Sequence, residues 1–145
     1  MNRREAILNL IVVIIGLIIL NTIIWLYNIV YPSNLVNHID ERAYPYLILI
    51  NLLFVFLGIL IEWKKALMIF SNKTKIDKLL LIISIIMIII SMVPFVEWFK
   101  WFGFTSPMNL RGWLIGILQN DYTRNAIPII AGILFVKSFC VIEQK

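Results

Sequence analysis

The sequence holds one cysteine, Cys140, and one histidine, His38. A lone cysteine excludes an intrachain disulfide and any multi-cysteine metal site, and a lone histidine excludes a zinc or haem site built on several imidazoles in one chain. No metal or cofactor is expected. Charge is scarce too: Asp, Glu, Lys and Arg make up 14% of the 145 residues, against about a quarter in an ordinary soluble domain. No Pro/Gly/Ser-rich linker, long-period repeat or low-complexity tail divides the chain, so one domain over residues 1–145 is expected.

What is abundant is apolar. Hydrophobic residues make up 61% of the chain and the mean hydropathy is +0.94, more than a water-soluble fold of this size can bury. The expected class is therefore an all-α integral membrane protein of the cell membrane. Its net charge of +5 sits beside the apolar runs and reads as an orientation signal, not as a nucleic-acid footprint.

Four runs are candidate spans: residues 6–30, 43–61, 79–96 and 125–142. The first follows Arg3, Arg4 and Glu5, exceeds the roughly 20 residues needed to cross the hydrocarbon core, and has no small-residue cleavage site, so a retained helix is expected. Proline belongs in a first helical turn or just past a last one. Pro32 would then follow the first helix, Pro45 and Pro128 open the second and fourth, and Pro94 lie near the end of the third. Pro107 after Ser106 reads as a capped start of an extra helix over about 107–120. The expected fold is a four-helix transmembrane bundle with a short amphipathic helix, interfacial or re-entrant, in the last outer loop.

Cytoplasmic loops hold the excess of Lys and Arg. One side of this topology has Arg3, Arg4, Lys64, Lys65, Lys73, Lys75, Lys78, Lys137 and Lys145, and the other Arg42, Lys100, Arg111 and Arg124. Both termini are accordingly expected to be cytoplasmic. Trp25, Tyr27, Tyr31, Tyr44, Tyr46, Trp98, Trp101, Trp113 and Tyr122 then face outward and Trp63 inward, whereas a plain aromatic belt would populate both interfaces.

The stretch from Glu97 to Arg124 is far longer than a usual connector between bundle helices. Its first part sets aromatic rings around Lys100, as in chain lying in the headgroup layer. In its second part Leu110, Trp113, Leu114, Ile117 and Leu118 share one helical arc, while Asn109, Gly112, Gly116, Gln119 and Asn120 share the opposite one. Gly112 and Gly116 have the G-x-x-x-G spacing that lets another helix approach. Trp98, Lys100, Trp101, Arg111, Trp113 and Tyr122 are the candidate residues for binding a partner or lipid.

The spans contain no Asp, Glu or Arg, and their one charge is Lys137, which argues against proton relays and voltage sensing. Asn21 and Asn51 fall at matching depths on consecutive helices and are expected to pack together with a hydrogen bond. Catalysis would need convergent titratable groups, and the only candidates lie outside, at His38, Asp40, Glu41, Arg42, Glu97, Arg111, Asp121 and Arg124. Asp40 and Glu41 point to opposite sides of an extended chain, no nucleophile motif accompanies them, and no catalytic residue is expected.

These features fit a small accessory protein that docks a membrane protein or lipid partner through its outer aromatic loop. A transport or secretion complex and a toxin-immunity role are two settings for it. The alternative is an oligomeric channel or lipid or small-solute pathway lined by Asn and Ser; a membrane enzyme with an external site ranks third. Membrane lipids and either a membrane protein or further copies of the chain are the expected partners.

Overall fold

The computed structural model describes residues 3–30, 43–71, 74–103 and 110–141, which form seven helices and one two-stranded sheet. Two helices are long and apolar enough to cross a membrane: α1 (Arg3–Val30) and α2 (Tyr44–Ile61), with Pro45 in the first turn of α2. A short helix, α3 (Trp63–Ser71), and a strand, β1 (Thr74–Ile76), follow. Then comes a third, shorter apolar helix, α4 (Lys78–Met92), capped by Asp77, whose carboxylate accepts from the Leu79 and Leu80 amides at 3.0 and 3.2 Å.

The apolar run over 79–96 is not one helix. Val93 is extended (φ −71°, ψ 121°), the conformation that a following proline imposes, so α4 stops at Met92 and α5 (Phe95–Phe102) starts after Pro94. Next are α6 (Leu110–Gln119) and α7 (Asp121–Lys137), and the chain closes on β2 (Phe139–Val141). The helix expected over 125–142 thus begins before residue 125. Asn120 caps α7 by accepting from the Thr123 amide at 3.4 Å, and the Thr123 hydroxyl donates to the carbonyls of Ile117 and Asn120. Pro128 therefore lies inside α7, fully buried, instead of opening the helix. The helix also ends before 142, because Phe139–Val141 pairs antiparallel with β1, Lys75 opposite Cys140.

The helices lie in the order α1, α2, α7, α4, with α7 packed between α2 and α4 and α1 leaning on α2. On α2, Leu47, Ile50 and Phe54 meet Ile23, Leu26 and Val30 of α1. Another α2 stripe, Asn51, Val55 and Gly58, turns toward α7, where Gly58 and Gly132 let the backbones touch: a Cβ on Gly58 would strike the Ile129 carbonyl, and one on Gly132 the Val55 carbonyl. These glycines make the close approach, whereas nothing lies near where a Cβ of Gly116 would be. On α4 the buried residues are Ser84 and Ser91, two turns apart, each donating to the carbonyl three residues back at 2.8 Å.

The expected Asn21–Asn51 hydrogen bond is absent. Asn51 lies on the α2 stripe that meets α7, fully buried, and neither of its amide atoms has a hydrogen-bond partner among the described residues. Asn21 is exposed, because α1 turns the stripe of Ile23, Leu26 and Val30 toward α2 and leaves residue 21 on its outer side. The expectation rested on helical rise alone, which says nothing about helical face.

Candidate docking surface

The aromatic stretch read as interfacial chain is a helix, and three charged or polar side chains brace it. Glu97 stands in the first turn of α5 and Lys100 in the last, where each complements the helix dipole. The Lys100 ammonium donates to Glu97 Oε1 at 2.8 Å. The Tyr44 hydroxyl at the start of α2 donates to the same oxygen at 2.6 Å, and Lys100 Nζ also lies 3.3 Å from that hydroxyl and 5.9 Å from the Tyr44 ring centre.

Hydrogen bonding to Glu97, and secondarily to Tyr44, pushes the Lys100 pKa up to about 12. The hydrogen bond from Lys100, then the one from Tyr44, holds the Glu97 carboxyl below the usual carboxylate range. Lys100, expected to bind a partner or headgroup, is thus neutralised by Glu97 in its own helix.

On the same helix the aromatic rings pack on one another. Trp98 stacks on Phe102 (6.0 Å, 17°) and meets Trp101 edge-on (5.6 Å, 73°). Trp101 is 59% exposed. The indole Nε1 of the half-buried Trp98 is shielded from solvent and finds no acceptor among the described residues. Helix α6 packs against both α5 and α7, burying Gly112 and Ile115. One further contact fixes this end of the molecule, the Tyr27 hydroxyl donating to Asn125 Oδ1 at 3.1 Å, and beside it Arg124, read from sequence as a loop cation, is 3% exposed within α7.

Of the expected binding residues, Trp98, Lys100 and Trp101 come together on α5. Arg111 and Trp113 lie on α6 and Tyr122 on α7, and their side chains are outside those the structure describes, as are residues His38 to Arg42. Sequence reasoning missed the roles of Glu97 and Tyr44. The i,i+3 spacing of Glu97 and Lys100 was a usable signal, but nothing local connects either to a tyrosine some fifty residues earlier.

The opposite end carries a second set of contacts that went unread. Lys64 pairs with Glu5 at 3.4 Å, and Glu62 pairs with both Lys65 and Lys137, at 3.3 and 3.5 Å. Among the described residues no group of three or more His, Cys, Asp or Glu could hold a metal. The chemistry on offer at the α5 end is an apolar, aromatic contact surface on a neutralised base. No protein-family model, curated protein or solved structure matches the chain.

Proposed function

We propose that the chain is a single transmembrane unit whose spans are α1, α2, α4 and α7, and that it docks a membrane protein or lipid partner at the outer interface through α5 and α6. Supporting the topology, the ion pairs of Glu5, Glu62, Lys64 and Lys137 gather at one end, and the Tyr44–Glu97–Lys100 and Tyr27–Asn125 contacts at the other. The helices then run alternately, and the lysine-rich end, with both termini, is the cytoplasmic one. An accessory subunit of a transport or secretion complex and a toxin-immunity factor both fit this reading.

The observation that carries the docking reading is Trp101, a large indole left exposed on a helix that Glu97, Lys100 and Tyr44 hold in place. Exposed aromatic residues on a rigid support are what interface hot spots are made of, and truncating one costs at least about 2 kcal/mol, roughly thirtyfold in affinity. Trp101→Ala, Trp113→Ala and Arg111→Ala should each reduce recovery of the partner from mild-detergent extracts, with expression and membrane insertion unchanged. Wild-type recovery in all three would reduce the surface to an interfacial anchor. A conductance in reconstituted vesicles that survives these changes but is lost in Ser91→Ala would favour the pore.

A further inference from the structure

The stripe that α1 turns toward α2 is apolar along nearly the whole helix, yet it is buried only over Ile23, Leu26 and Val30. Below Ile23 no residue of α1 is buried, although Leu60 of α2 reaches Gly16. Leu8, Val12, Ile15 and Ile19 continue the stripe at helical spacing and, with Phe56 and Leu60 of α2, line an open groove of about 420 Å³. That volume falls within the range of sites that take small organic ligands, about 300–1,000 Å³. Helix α3 closes the foot of the groove with Trp63 and Ala66.

We infer that this groove holds one acyl chain of an anionic phospholipid from the cytoplasmic leaflet, a site that rests on the four-span reading but lies at the end opposite the docking surface. Three observations choose this occupant. Every residue lining the groove is apolar. Its length, Leu8 to Ile19 along α1, is about 16 Å at about 1.5 Å per residue, the depth of one leaflet of a hydrocarbon core about 30 Å thick. A second transmembrane helix would need a groove that continues past Ile19, where α1 and α2 have already closed. At the foot, Arg3, Arg4, Lys64, Lys65 and Lys137 outnumber Glu5 and Glu62, so a headgroup there meets net positive charge.

The test is lipid retention. The whole chain is reconstituted in nanodiscs of mixed phosphatidylglycerol and phosphatidylcholine, re-extracted in mild detergent, and its bound lipid counted by native mass spectrometry. One phosphatidylglycerol per chain should remain. Val12→Phe with Ile15→Phe, which line the groove, should abolish retention, and Arg4→Gln with Lys64→Gln should lower the preference for phosphatidylglycerol about fivefold for each charge removed. Unchanged retention in the filled variant, or a dimer of wild-type chains that the filling dissociates without changing bound lipid, would overturn the site. Hydrogen exchange on the same nanodiscs distinguishes the two failures. If α1 and α2 stay protected along their length while retention is unchanged, only the acyl site falls; if α1 exchanges throughout, the transmembrane reading falls with it.

Discussion

Asn51 lies with both amide atoms buried on the face of α2 that meets α7, and a buried polar group without a partner costs about 1–3 kcal/mol. Replacing it with the similarly sized leucine removes that penalty. Asn51→Leu is expected to raise the thermal unfolding midpoint in detergent, by a stabilisation of about 1 kcal/mol or more; a lower midpoint would show that the amide meets a polar partner in the assembled protein. The Glu97–Lys100 brace makes a prediction in pH. Glu97 titrates below its ordinary 4.5, so its contribution is complete above that value and is lost as pH falls through the lower folded value. Lys100 titrates near 12, so its contribution is complete below 10.5 and is lost as pH rises through about 12. Protection of the α5 amides relative to their intrinsic exchange rate should therefore fall toward acid pH in the native chain, and Glu97→Gln should abolish this acid limb while leaving α5 loosened at neutral pH. An unchanged acid limb in that variant would assign it to another group.

At the scale of elements, the α2–α7 contact depends on two reciprocal glycines. Gly58→Ala and Gly132→Ala each push a methyl group into a carbonyl of the facing helix, and overpacking of this kind costs about 1–3 kcal/mol. Both should lower the unfolding midpoint, whereas Gly116→Ala, with nothing near its Cβ position, should not. The sheet makes a covalent prediction. Directly opposed residues of an antiparallel pair have Cα atoms about 4.5–5.5 Å apart, within disulfide reach, and Lys75 opposes Cys140. Lys75→Cys should form an intrachain disulfide with Cys140 on mild oxidation, visible as a mass loss and a gel shift; failure would remove the β1–β2 pairing.

The long apolar runs of α1 and α2 were legible because hydropathy over about 20 residues needs no partner to be read. The α4 break at Val93 and the α7 start at Asn120 were legible in principle, from the residue before Pro94 and from an asparagine cap, but the run of apolar residues and Pro128 were read ahead of them. The β1–β2 pairing was not legible, since two strands of three residues, each too short to signal itself, are joined across most of the second half of the chain. The residues of α5 proposed for docking stand out in the sequence by their aromatic density, while the Tyr44 brace, a contact between distant segments, left no local trace.

Taken as a whole molecule, the described residues have two differently built ends. One gathers Tyr27, Tyr44, Glu97, Lys100 and the Trp98–Trp101 face; the other gathers the α1 start, α3, the sheet and most of the lysines. The proposed function requires these ends to lie on opposite sides of a membrane, the aromatic end outside. The decisive measurement is thiol labelling of intact cells with a membrane-impermeant maleimide, in a Cys140→Ala background. Trp101→Cys should be labelled in intact cells, and Lys75→Cys only after the membrane is opened. Labelling of Lys75→Cys in intact cells with protection of Trp101→Cys would invert the topology, and labelling of both would contradict the membrane-spanning account itself.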